Sequence, residues 1–343
     1  YLLTVYIFLA AVCFTASNLS YNTMLSLVTT EQHDRNVMNS IRFQFTMVAQ
    51  LLINVITIPL VNFLGGGQKA WTAVSIIYAA LAMLTFYITF SGTRERYKPV
   101  QPRKDTKQKS YPLKTIKVLC RNKYFILITL AFAVIYVSLG LTSGSRIYYA
   151  KYVLGNEYLN STMTLFNYIP TILTILLIPV FTKKFGKIKA LIAGFTFYGA
   201  GLILEILMPT SLPFLYAGLV LQGIGHAALY SCLFAIVGDV VDYSEWKDGI
   251  REEGLTYSVT SFGQKIGTGL GTAALGWILA AGSYDGTAAV QSASAIFAIK
   301  SLFLYLPLII TVAVLIIWYL FLGIDKIYPT VQKDLKARRE KQA

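Results

Sequence analysis

Asp239 and Asp242 stand three residues apart in "GDVVDYSEWKDGIREEG" (238–254), with Glu245 and Arg251 close behind. On a continuing helix, residues at that spacing share a face. Carboxylates grouped in this way are solvated, paired with basic groups, or used as acid and base. No nucleophile, metal-ligand set or phosphate-binding loop accompanies them, which argues against catalysis. The two His (His33, His226) and three scattered Cys (Cys13, Cys120, Cys232) form neither a zinc pattern nor a disulfide framework. The chain therefore reads as a non-enzyme without a cofactor.

A second constellation follows at once. Ser258, Ser261, Lys265, Thr268 and Thr272 recur at spacings of 3, 4, 3 and 4, which makes one polar stripe on a helix. Gly263, Gly267 and Gly271 repeat every four residues on another face, where small residues let a neighbouring helix approach closely. A lysine near mid-membrane costs about 2.5–3.5 kcal/mol on the lenient insertion scale. Snorkelling to an interface is the bland alternative, and the central position of Lys265 argues against it. Arg42, Thr46, Gln50 and Asn54 are spaced four apart on a second segment; Arg42 also suits an interfacial anchor. Thr15, Asn18 and Asn22, with Ser17 and Tyr21 beside them, make a third group. Gln222, His226 and Tyr230 make a fourth, with an aromatic face suited to stacking on a sugar ring or to plain core packing. Polar residues of this kind also serve as helix–helix glue. Several striped helices together favour a shared polar cavity.

The elements that carry these groups follow from composition. The chain of 343 residues is 55% hydrophobic and only 13% charged, against roughly 25% charged in soluble proteins. Its long continuous apolar runs predict an all-α, polytopic membrane protein rather than a β-barrel. The expected spans are 2–29, 38–64, 70–92, 124–150, 161–182, 189–209, 212–238, 254–281 and 299–323. The net charge of +14 is concentrated in short loops and the tail, which fits positive-inside topology better than nucleic-acid binding. The loop 93–123 and the tail 324–343 are then cytoplasmic, in a plasma-membrane protein surrounded by lipid. That loop separates a three-helix remainder (1–92) from a six-helix bundle (124–323). The odd helix count, the exterior N-terminus and the absence of an initial Met lead to the expectation that three helices precede residue 1.

The residues also carry a resemblance. "GDVVDYSEWKDGIREEG" followed by "TYSVTSFGQKIGTGLG" resembles the signature of the glycoside–pentoside–hexuronide:cation symporters, a major-facilitator family. "NLSYNTMLSLVTTEQHDRNVMNSIR" is similar to that family's fourth helix, its loop and the start of the fifth; "IYYAKYVLG" is similar to the end of the seventh. The resemblance implies a transporter for a sugar, glycoside or hexuronide, coupled to H+ or Na+ and expected to act as a monomer. Other members move lipids, and a membrane sensor or enzyme is the reading from another class.

Carried over by position, the resemblance makes Arg35, Asp239, Asp242, Glu245 and Arg251 a cytoplasmic ionic gate. It puts Arg42, Tyr230 and Lys265 at the sugar site, with Asn18, Tyr21, Asn22 and Ser261 as further substrate contacts. Lys265 and Asn18 fall at cation-coupling positions. Asn18 is a departure, since its position matches an aspartate in the melibiose-transporting members; an amide can hydrogen-bond hydroxyls but cannot neutralise a cation.

Overall fold

A computed structural model describes residues 4–5, 8–13, 32–93, 121–249, 253–288 and 290–340. The chain divides into two compact units, 1–109 and 110–343. In the first, α1 (Gln32–Phe63) and α2 (Gly67–Gly92) form an antiparallel pair. Their connection passes through Gly65, Gly66 and Gly67, all at positive φ, where a side chain would be strained. The pair packs through Val61, Ala70 and Val74, and Thr57 and Tyr78 share a hydroxyl–hydroxyl bond of 2.8 Å.

The second unit is an all-helical bundle. Helix α3 (Lys123–Tyr148) continues as a wider π-helical turn to Val153. Helices α4 (Leu159–Ile175) and α5 (Ile178–Phe185) are one apolar stretch bent by 55°. Pro179 at the start of α5 cannot supply an amide to the preceding turn, which accounts for a break there. Helices α6 (Lys187–Leu207), α7 (Leu212–Asp248) and α8 (Glu253–Ala281) follow. Helix α9 (Ala293–Lys300) runs through a π-helical turn into α10 (Leu306–Phe321), and α11 (Gly323–Glu340) ends the described chain.

Glycine seams hold the bundle together. Gly267 and Gly271 of α8 lie against the Ala133 and Val137 carbonyls of α3, where an added Cβ would collide with backbone. Gly194, Gly201, Gly218 and Gly225 seam α6 to α7 in the same way. Between lipid-soluble helices, close backbone packing of this kind replaces the hydrophobic effect as the cohesive force. Two apolar cores fill the rest. One is built on Ile128, Phe132, Leu191, Val237, Trp318 and Phe321. The other is built on Leu141, Tyr149, Met163, Leu215, Leu219 and Leu302.

Several elements differ in extent from the sequence expectations. Among the described residues, six helices are long and apolar enough to cross a membrane, or seven with the bent pair. The 29-residue α8 is not among them, because its polar stripe lowers its mean hydropathy, and most of segment 2–29 lies outside the described residues. Helix α1 begins at Gln32, so Arg35 is helical and not in a loop. Helix α7 runs ten residues beyond the expected end at 238, to Asp248, since no breaker intervenes before Gly249. Gly249 takes the left-handed conformation (φ 68°) and its amide donates to the Glu245 carbonyl at 3.0 Å, a C-terminal cap. The expected tail is also a helix, α11, docked on α7.

Candidate functional site

Helix α8 turns its two faces in opposite directions. Gly263, Gly267 and Gly271 are buried in the seam with α3, while Ser258, Ser261, Lys265, Thr268 and Thr272 are all exposed on this unit. Lys265 sits near the middle of the 29-residue helix. Thr268 and Thr272 satisfy their hydroxyls by bonding the carbonyls of Gln264 and Thr268, at 3.0 and 2.8 Å. Each keeps lone pairs free to accept from a ligand or water.

A different polar group is packed inside the bundle, between α3, α4, α6 and α7. Arg146 of α3 donates from Nη1 to Thr164 Oγ1 of α4 at 3.3 Å. Gln222 of α7 donates from Nε2 to Glu205 Oε1 of α6 at 2.7 Å. Thr171 donates to the Gly223 carbonyl at 2.9 Å, and Asn167 to the Leu219 carbonyl at 3.3 Å, tying α4 to α7. The rings of Tyr198, His226 and Tyr230 form a ladder with centroid spacings of 4.9 and 5.8 Å. Beside it is a cavity of about 20 Å³, touched by Ser138, Tyr198, His226 and Thr311. That is room for a water molecule, not for a sugar.

One end of the bundle carries a third group. Lys187, the first residue of α6, reaches both carboxylate oxygens of Asp239 at 2.7 Å. The two form an ion pair between α6 and α7. The Tyr328 hydroxyl of α11 donates to Asp242 Oδ2 at 3.0 Å, and the Lys187 ammonium lies 5.4 Å from the Tyr328 ring. Asp325 Oδ2 accepts from the Ile188 amide at 3.1 Å, placing a negative charge at the N-terminus of α6. Gly186 makes this possible: its φ is 93°, and a Cβ there would meet Asp325 Oδ2 at 2.6 Å. Trp246 Nε1 donates to Asp334 Oδ2 at 2.8 Å, so α11 is fastened along the end of α7.

The structure thus brings Asp239 and Asp242 into one cluster on α7, with Glu245 one turn further along. It sets Ser261 and Lys265 on one exposed face and Tyr230, half-buried, on the inner ladder. Arg35 and Arg42 stand two turns apart on α1, which places them on one side of it; only their backbone is described. Asn18, Tyr21, Asn22 and Arg251 lie outside the described residues. Among the described residues no group of His, Cys, Asp and Glu is arranged to hold a metal ion. Sequence reasoning missed Arg146, Lys187 and Glu205. Arg146 and Glu205 are single charges inside apolar runs, and that alone was a signal. They went unnoticed because neither belongs to a periodic stripe.

Residues 1–326 match the family described as "MFS/sugar transport protein". Among curated relatives, an isoprimeverose transporter of Lactiplantibacillus pentosus is 29% identical over 338 residues, covering 96% of this chain and 69% of the relative. An uncharacterized symporter of Bacillus subtilis, YjmB, is 26% identical over 93% of this chain and 69% of its own length. A glucuronide carrier protein homolog of Escherichia coli is 25% identical over 94% and 69%.

Proposed function

The chain belongs to the MFS/sugar transport protein family, and on that premise we propose that it carries a sugar, glycoside or hexuronide across the cell membrane by alternating access, coupled to a cation. It is a multi-pass membrane transporter and not an enzyme. The relatives named for isoprimeverose and for a glucuronide support a glycoside or uronide as the substrate class.

The observation that carries the reading is the split of α8. Its glycine face is consumed by packing, which leaves a hydroxyl-and-lysine stripe uncovered by its own unit. A lysine facing hydrocarbon costs about 2.5–3.5 kcal/mol or more. Such a stripe is stable in a membrane only where it meets water, polar protein or a polar ligand. Hydroxyls accept and donate to sugar hydroxyls, and an ammonium suits a uronate carboxylate or the exchange of place with a coupling cation. The Tyr230 ring adds an apolar platform for a pyranose face. The acidic motif suits the cytoplasmic end of the path, because Asp239 and Asp242 are held by Lys187 and Tyr328 from other helices. A rearrangement can exchange such partners without leaving a charge bare.

The test is uptake of labelled isoprimeverose and of a glucuronide into vesicles bearing the whole protein. Lys265→Ala should abolish gradient-driven accumulation while expression and detergent monodispersity stay normal. Normal accumulation by the variant would remove Lys265 from the site.

A further inference from the structure

We propose that Arg146 is a specificity-determining residue: its guanidinium receives an anionic substituent of the sugar, a carboxylate or a sulfonate, so that the protein prefers an acidic glycoside to its neutral counterpart. The proposal rests on the transport reading and deepens it by naming the substrate class.

Arg146 stands about two helical turns before the end of the apolar span Lys123–Val153. Side chains on a helix lean towards its N-terminus, so this one leans away from the near end and into the bundle. Its neighbours agree. Nη1 donates to Thr164 of α4, and the charge interacts with Tyr168 further along α4, with Tyr198 of α6, and with His226 and Tyr230 of α7. Tyr230 lies midway along the 37-residue α7. An arginine anchored at the interface would reach the other way.

The guanidinium has donors to spare. Its one hydrogen bond is the 3.3 Å contact with Thr164; Nε is buried without a partner, and Nη2 takes none among the described residues. No carboxylate of the described residues forms an ion pair with it. Glu205 feels the charge but is bonded to Gln222 in the α6–α7 seam. Nε–H and Nη2–H share one edge of the planar group, and such an edge grips an oxyanion with two parallel bonds. A cation inside a membrane span is costly, and more so without a counter-charge. A solute that carries its own negative charge supplies one. Arg146, Tyr168, His226 and Tyr230 each keep part of their surface uncovered on this unit, so the group is open and not sealed. The phenol hydroxyls of Tyr168 and Tyr230 can exchange hydrogen bonds with sugar hydroxyls. Lys265 is a separate cation, on the exposed face of α8; of the two, an arginine is the better oxyanion receptor because its fork is planar and directional.

The test uses three methyl glycosides that differ only at the sixth carbon: the glucoside, the glucuronide and the 6-sulfonate. Calorimetry on the purified whole protein gives the dissociation constants. The wild type should bind one of the acidic sugars about tenfold or more tightly than the glucoside; the tighter of the two identifies the anion. Arg146→Gln should remove most of that preference and leave the glucoside affinity within about twofold. Arg146→Lys should narrow the preference several-fold, since the charge survives and the fork does not; it decides alone where the Gln variant does not fold. A wild type that binds the three alike, or the glucoside best, overturns the proposal. So does an unchanged preference in either variant, or a proportional loss of all three sugars in Arg146→Gln, which would make Arg146 a strut between α3 and α4. Binding of none of the three by the wild type, with no uptake of isoprimeverose or a glucuronide into vesicles, defeats the transport reading, and the proposal falls with it.

Discussion

The α3–α8 and α6–α7 pairs are joined by the same device and dispose of their polar groups in opposite ways. Both seams bring backbones together at glycines, so that Gly267 meets the Ala133 carbonyl and Gly225 meets the Gly194 carbonyl. In α8 the stripe of Ser258, Ser261, Lys265, Thr268 and Thr272 lies away from the seam and stays exposed. In α6 and α7, Glu205 and Gln222 lie within the seam and satisfy each other in part. A glycine seam therefore fixes how close two helices come, not what they are for. What distinguishes the pairs is whether the polar side chains point along the helix–helix contact or away from it. The first arrangement buries the polar pair inside the contact, and the second leaves the stripe exposed on its own unit.

The largest effect should come from filling the seams. Gly267→Leu and Gly225→Leu each force a side chain into backbone, and we expect loss of folded, membrane-inserted protein from both. Gly269→Ala is the control: it shares the α8 helix but has open space beside it, and Ala is the better helix former by roughly 0.8–1 kcal/mol. Yield and thermal unfolding in detergent measure this. Equal yields from the Leu variants would mean that the seams are looser than drawn.

A smaller effect is expected where the inner cluster meets the solute. Tyr230→Ala should weaken sugar binding several-fold, in line with about 0.5–1.5 kcal/mol for ring stacking. Tyr230→Phe should cost less, because the ring remains. Dissociation constants from titration decide this, and equal losses would place the function of Tyr230 in its hydroxyl.

The smallest effect separates polar groups inside a helix contact from those on an exposed face. Thr171 bonds across a helix contact to the Gly223 carbonyl, whereas Thr268 bonds only within α8. Thr171→Val should lower stability by about 0.6 kcal/mol, the average for such bonds in membranes. Thr268→Val should leave the melting temperature unchanged and raise the KM for sugar. The reverse pattern would mean that the stripe holds the fold and the interior binds the solute.

Much of this was legible in the residues. The glycine repeat of α8 predicted a seam, and the polar repeat predicted a separate face, because both have helical spacing and a helix cannot hide two opposite faces in one contact. Glu205 had no such pattern. A single acid in "GLILEIL" gives no face, and only the facing helix shows whether it meets lipid, water or Gln222. Likewise, Asp239 and Asp242 announced a charged cluster, but their partners Lys187 and Tyr328 lie 52 and 86 residues away.

By itself the sequence determined the membrane class, the helical build and the two faces of α8. Those follow from composition and from spacings within one helix, where 3.6 residues per turn converts order into direction. The tertiary structure alone decided that α7 continues through the acidic motif, that α11 folds back onto it, and that Glu205 is sealed against Gln222. Each of these depends on which helix lies alongside, and helix neighbours are set by close packing between segments remote in the chain, which no local pattern encodes.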